Sequence, residues 1–425
     1  MKLNIRLIIL YIYSFILIYS PNLSYLIKIN NFILYVLFTM LYLLKYGITK
    51  DKKIFKYFKY KPVFIFIILT MFSSFYFAIR TIFAGTNALD IYNLRIIQNL
   101  MPILYLVGTI IVYNELTEME FTKKEKYKFI INIAFIQSLI SISMIFITPL
   151  RNIALNIFYS NHNFNQYISN SRLYGICDGD YTYSFQILHG ILALFTLSYS
   201  VIYREKKYFI LTIFILIVTL LNGRFGLIIF IIGTIFIISY YAIHTSNFVS
   251  IFKLTNLILA TSILMLVLIY NFLPNTYSLI SHAYEDIILS ITKSDTNSET
   301  TQLINMIFFP AGLALIFGKG FRVFGKKGTK FGFYRGSDVG YVNDIFMGGI
   351  IYISLLYSTY LSLVRQIIKN TNKVSFERVT AIALVLSAAL ANVKGEVFRS
   401  QLLTTILIVI NIFMLLEIAK EREVK

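Results

Sequence analysis

The chain holds one cysteine, Cys177, in 425 residues, so it can form no internal disulfide and no multi-cysteine metal site. Charge is scarce as well. Only 14% of residues are charged against 57% hydrophobic, and the mean hydropathy is +0.72. A chain this poor in charge cannot coat a soluble globule with a polar shell, which leaves a polytopic membrane protein. Alanine is absent before Ala78. Lys2 and Arg6 precede the apolar stretch Leu7 to Tyr19 as in a signal peptide, but no small-x-small cleavage site follows, so an uncleaved first span is expected. An internal repeat of the kind that marks many secondary transporters is also missing. The 32 tyrosines and 38 phenylalanines are read as core and interface packing.

What is present is a series of apolar runs. Spans are expected near 7–24, 30–46, 62–79, 96–113, 129–148, 183–203, 208–221, 225–241, 254–272, 341–361, 379–393 and 401–417. The fold class is therefore all-α: a single transmembrane domain, 1–425, of about twelve helices. The basic runs Lys45 to Lys61, Lys123 to Lys128, Arg204 to Lys207 and Arg365 to Arg378 fall on one side, together with both termini. That side collects 24 of the 39 Lys and Arg residues, which makes it the cytoplasm. The net charge of +19 is then an orientation signal rather than a nucleic-acid footprint.

Two outer segments are long, 149–182 and 271–339. The second contains a mildly apolar piece near 304–317 with Pro310 and Gly312, which suits a short interfacial or re-entrant helix better than a span. The first contains Arg172-Leu-Tyr-Gly-Ile-Cys-Asp-Gly-Asp180 among many Asn, Tyr and Ser residues. Such side chains offer the polar partners and stacking faces a sugar needs, or else form a solvated loop of turn residues. Asp178 and Asp180 lack a matching ligand cluster and read as a turn, so no metal is expected. The second segment ends in a glycine-rich basic run with Lys319, Arg322 and Arg335, a surface suited to phosphate. Asp338 follows as a lone carboxylate among cations, expected to be held ionised. It fits a base for a sugar hydroxyl, a helix N-cap or a salt bridge to Arg335.

Arg224 is the most telling residue. The apolar run Tyr208 to Tyr241 would make a helix of roughly 50 Å against a hydrocarbon core of about 30 Å, so it must break. Asn222-Gly223 supplies turn chemistry at its centre, placing Arg224 where two spans meet at one membrane face. An arginine at mid-bilayer costs about 2.5 to 3.5 kcal/mol, which points to a site for an anionic group.

Four segments together resemble the Wzy-type O-antigen polymerases. They are the outer Arg172-Leu-Tyr-Gly175, the Asn222-Gly-Arg-Phe-Gly226 break, Leu315-Ile-Phe-Gly-Lys-Gly-Phe321, and Gly336-Ser-Asp-Val-Gly-Tyr341 followed by Gly348-Gly-Ile-Ile351. The likeness covers nearly the whole chain. It implies a bacterial inner-membrane glycosyltransferase that joins undecaprenyl-diphosphate-linked oligosaccharide repeat units on the periplasmic side. It also implies membrane lipid and a chain-length regulator as partners, and neither cofactor nor nucleic acid. Family arginines carry over to Arg172, Arg224 and Arg335 as diphosphate ligands. Asp338 would activate the acceptor hydroxyl, with Lys319, Arg322, Asp178, Asp180 and Tyr341 as substrate-binding residues. An O-antigen ligase, which transfers glycan to lipid A core, and a lipid-linked oligosaccharide flippase are the alternatives. Ligases commonly place a histidine where this chain has Asp338 and often show Ser-Arg-Gly where it has Gly223-Arg-Phe-Gly226, departures that favour the polymerase. The chain also lacks the Asp-Pro-Asn that often follows the first-loop arginine, having Asp178-Gly-Asp180.

Overall fold

Backbone amides in hydrocarbon have no water to bond, so a run of apolar residues satisfies them by closing into helices. The computed structural model describes residues 5–21, 31–48, 53–83, 89–158, 174–177, 181–245, 299–323 and 336–423, with the single positions 267, 270, 271 and 281. Among these the structure is helical, with no strand. The helices are α1 (Ile5–Tyr19), α2 (Asn31–Ile48), α3 (Lys53–Lys59), α4 (Lys61–Phe83), α5 (Leu89–Glu118), α6 (Lys123–Phe146) and α7 (Thr148–Phe158). After a π-helical turn at Tyr181–Phe185 follow α8 (Gln186–Tyr203), α9 (Lys206–Asn222) and α10 (Phe225–Thr245). Two short helices come next, α11 (Glu299–Asn305) and α12 (Leu313–Phe317), and then α13 (Gly340–Asn370), α14 (Phe376–Ala391) and α15 (Gln401–Glu423).

Seven helices among the described residues are long and apolar enough to cross a membrane: α4, α5, α6, α8, α10, α13 and α15. Eleven of the twelve expected spans coincide with helices, whereas the span near 254–272 lies almost wholly outside the described residues. The overlong run breaks where expected, with α9 ending at Asn222 and α10 starting at Phe225. The piece at 304–317 does not form a span, and yields only the end of α11 and the five-residue α12.

Large apolar side chains point outward at helical spacing. Leu37, Met40, Leu41 and Leu44 do so on α2, and Ile228, Ile231, Ile232 and Ile235 on α10. Stripes at i, i+3, i+4 and i+7 that face away from the protein are the inverse of a soluble helix, and the solvent they match is hydrocarbon. Inside, α8 and α15 are enclosed almost all round. α8 packs on α9, α10 and α14, α15 on α5 and α13, and α13 on α4. Many buried hydroxyls return to their own helices, as in Thr196 to the Leu192 carbonyl (2.8 Å) and Ser138 to that of Ala134 (2.8 Å), which satisfies these groups without water.

The two ends of the bundle differ. At one end, helix termini are cross-linked by ion pairs: Arg6–Glu115 (2.7 Å), Lys126–Glu417 (2.6 Å), Lys123–Glu377 (2.6 Å), Lys56–Glu423 (2.7 Å) and Lys128–Glu205 (3.3 Å). The described residues of the basic runs lie here. The opposite end carries the π-turn before α8, the α9–α10 break, the start of α13 and the turn after α14.

At this second end α13 is itself interrupted. Gly349 sits within it at φ +70°, a backbone that L residues rarely adopt, which frees the carbonyls just before it. The segment after α12 satisfies them: Lys319 N–H donates to Phe346 O (2.7 Å) and Gly320 N–H to Met347 O (3.1 Å). Arg80 at the end of α4 donates to the Gly318 carbonyl (2.7 Å), and the Tyr76 hydroxyl to that of Gly348 (3.1 Å). The glycines of the Gly318-Lys-Gly320 and Gly348-Gly349 motifs are thus one joint between a short helix and a broken one.

Candidate functional site

The α9–α10 break is where distant segments meet. The Asn222 side chain pairs with the Tyr174 backbone, accepting from its N–H (3.0 Å) and donating to its carbonyl (2.9 Å). Tyr174 is thereby fastened two residues from Arg224. The Arg151 guanidinium covers the Tyr174 ring at 4.5 Å. Gly175, at φ +119°, is boxed in by Phe185, Ser141 and Gln137, so no side chain fits there.

On the other side of the break, Gln186 in the first turn of α8 accepts from the N–H of Phe225 (2.9 Å) and of Gly226 (3.3 Å). It satisfies amides that the start of α10 would otherwise leave orphaned. A Cβ at Gly223 would collide with the Gln186 amide, one at Gly226 with the Gln186 carbonyl, and one at Gly190 with the Gly226 carbonyl. Asn-Gly-Arg-Phe-Gly is therefore demanded by the crossing of α8 and α10 as much as by the turn. Arg224, between these fixed points, is half-buried. Among the described residues no carboxylate pairs with its guanidinium.

Asp338 lies two residues before α13. Its neighbour Ser337 is held by three elements: its N–H donates to Val323 O (2.7 Å), its hydroxyl to Met306 O (2.7 Å), and its carbonyl accepts from the Asn343 side chain (2.8 Å). The helix cap is Val339, and no side chain caps it, so Asp338 is not an N-cap. Asp338 itself is half-buried. Burial pushes its carboxyl above the usual range, against the opposing pull of the Lys394 ammonium. Among the described residues the one cation acting on it is outweighed by desolvation, while the basic positions Lys326, Lys327, Lys330 and Arg335 lie outside the described residues.

Lys394 belongs to the turn between α14 and α15, and it ties the two halves of the site together. Its Nζ stands 5.6 Å from the centre of the Phe225 ring, next to Arg224, while its field reaches Asp338. Gly340 abuts the Gly395 carbonyl and the Asn392 side chain with no room for a Cβ. The Tyr183 hydroxyl, from the π-turn, donates to the Ala391 carbonyl (2.9 Å).

Beneath this turn is a buried polar cluster. Arg399 pairs with Asp344 (2.7 Å) and Glu396 (3.0 Å), and Arg322 pairs with Glu396 (3.3 Å). Asp344 also accepts from the Tyr357 hydroxyl (2.7 Å) and Asn392 (3.1 Å). Arg322 is thus engaged by an internal acid. Lys319 is exposed, its ammonium 5.9 Å from the Phe346 ring. The Tyr341 hydroxyl donates to the Ala389 carbonyl (2.7 Å), and its ring lines an apolar crevice of about 170 Å³ with Tyr357, Phe398 and Leu407.

The structure therefore gathers Arg224, Asp338, Arg322, Lys319 and Tyr341 at one end of the bundle. Arg172, Asp178, Asp180 and Arg335 lie outside the described residues. Gln186, Asn392 and Asp344 were not singled out from sequence. Asp344 had a readable signal, being an acid inside an apolar run. Gln186 and Asn392 had none. Among the described residues no three His, Cys, Asp or Glu side chains come together as metal ligands. Compared with known proteins, the chain matches no protein-family model, no curated protein and no solved structure.

Proposed function

We propose that this protein polymerises undecaprenyl-diphosphate-linked oligosaccharide repeat units into O-antigen or a related surface polysaccharide. It would do so at the periplasmic face of the bacterial inner membrane, with about twelve spans and both termini in the cytoplasm. The observation that carries the reading is that the Asn222–Gly226 break holds Tyr174 through Asn222 and meets, at Phe225, the Lys394 ammonium whose field acts on Asp338. These are the segments on which the likeness to the polymerases rests.

In the reaction, the anomeric carbon of the donor glycan loses its bond to the lipid diphosphate and gains one to an acceptor hydroxyl. Asp338 takes the hydroxyl proton, a role that suits a carboxyl raised above its ordinary range. Arg224 stabilises the charge developing on the departing diphosphate, and a half-buried guanidinium does this more strongly than one in bulk water. Arg172 and Arg335 complete the cationic set. Lys319 and Tyr341 border the path of the sugar.

The test is Arg224→Ala in cells. Polymer should vanish while the protein still inserts, leaving a single repeat unit on the lipid A core. Arg224→Lys should restore little, because a point charge lacks the bidentate fork. A normal ladder of chain lengths in Arg224→Ala cells removes Arg224 from the diphosphate.

A further inference from the structure

We infer that Lys394 is a binding residue of this site, its ammonium holding the same diphosphate as Arg224, with the Asp344–Arg399–Glu396 cluster as the brace that fixes its turn. The inference rests on the polymerase reading and adds a residue from the last turn of the chain to it.

Lys394 is exposed at the bundle end, next to Phe225 and within electrostatic reach of Asp338. A cation there stands beside the residue that follows Arg224 and acts on the proposed base. The turn that carries it is clamped on each side. Asn392 accepts from the Val397 N–H (3.0 Å) while its amide donates to Asp344 and to the Tyr357 hydroxyl (2.7 Å). Ala391 is held by Tyr183, and a Cβ at Gly395 would strike the Tyr183 ring. On the far side Arg399 is anchored to Asp344, both side chains only 2% exposed.

Arg322 and Arg399 face Glu396 and Asp344, two cations against two carboxylates inside the protein. Their role is to hold the loop. Lys394, on the solvent side of the same loop, is positioned to meet a ligand, and as a compact ammonium it suits phosphate oxygens approached from water. A lysine serving only as a surface charge would need no such rigid support, since exposed lysines are ordinarily left flexible.

The experiment uses the full-length protein in lipid nanodiscs and two probes, a long-chain polyprenyl diphosphate and inorganic pyrophosphate. Because Lys394 addresses the diphosphate and not the hydrocarbon, Lys394→Gln should weaken both probes by about tenfold, equivalent to 1.4 kcal/mol. Lys394→Arg should keep most of the affinity. Lys394 is exposed, so neither change threatens the fold, and monodispersity of each variant checks this. Lys56→Gln, which neutralises a lysine at the opposite end, should bind as wild type does.

Unchanged binding of both probes by Lys394→Gln overturns the inference and leaves the function standing. A loss confined to the lipid-linked probe overturns it as well, since the lysine would then act on the lipid. Failure of the wild-type protein to bind either probe overturns the proposed function, and this inference with it.

Discussion

Arg399 and Asp344 lie 2.7 Å apart with both side chains almost fully enclosed, joining the turn before α15 to the first part of α13. Removing one member of such a pair strands the other charge in a low-dielectric interior, which costs about 3 to 5 kcal/mol. Asp344→Ala should therefore lower the melting temperature in detergent and the yield of monodisperse protein. The double variant Asp344→Leu with Arg399→Met should regain much of that loss, because no uncompensated charge remains. A single variant as stable as wild type would contradict the brace.

Asp338 leads to a prediction in which activity and stability move differently. Its folded-state proton affinity is raised by burial, so the contribution it makes to stability is complete at low pH and is lost as pH rises through the folded value. Asp338→Asn removes that loss, and no helix cap is sacrificed, since Val339 is the cap and takes no side-chain bond. Melting at neutral pH should be unchanged or slightly higher. Polymerisation should fall by about 10² to 10⁴, the usual worth of a general base. Near-full activity would remove Asp338 from the chemistry.

The pH profile follows from the same groups. A base acts only when deprotonated, so activity should rise with pH through a value above the ordinary aspartate range. Lys394 favours the carboxylate, and its loss in Lys394→Gln should shift that rise to higher pH. A profile that Lys394→Gln leaves unmoved would mean that the two groups do not communicate.

Gly349 gives a prediction about the broken helix. At φ +70°, with the Ile316 carbonyl and the Gly318 backbone against it, the position excludes a Cβ. Gly349→Ala should destabilise the protein by at least about 1 kcal/mol through backbone strain alone. Melting equal to wild type would mean that α13 does not depend on the kink.

Orientation is testable by cysteine labelling in a Cys177→Ser background. An impermeant reagent on intact spheroplasts should label Lys319→Cys and not Lys56→Cys, both of which are exposed. The reverse pattern would invert the topology and place the site in the cytoplasm.

Much of the frame was legible in the sequence because length and hydropathy constrain helices directly. The break at Asn222-Gly223-Arg224 could be found since an apolar run longer than a bilayer must turn somewhere and only those residues turn easily. The reason for Gly226 could not, because it is the Gln186 carbonyl on another helix that forbids a side chain. Asn392 and Gln186 were invisible for the same reason: their partners, Asp344 and the Phe225 amide, stand 48 and 39 residues away. Arg322 looked like a phosphate ligand by composition. Its engagement with Glu396, 74 residues on, is a property of the folded bundle that no local pattern encodes.

The most direct measurement is chain growth by the purified protein. Reconstituted in lipid and given its native undecaprenyl-diphosphate-linked repeat units alone, it should build longer glycans without nucleotide, added metal or lipid A core. Growth that requires lipid A core would make it a ligase, and transport with no covalent product a flippase. Absence of any glycan longer than one repeat unit from properly folded protein contradicts the polymerase account.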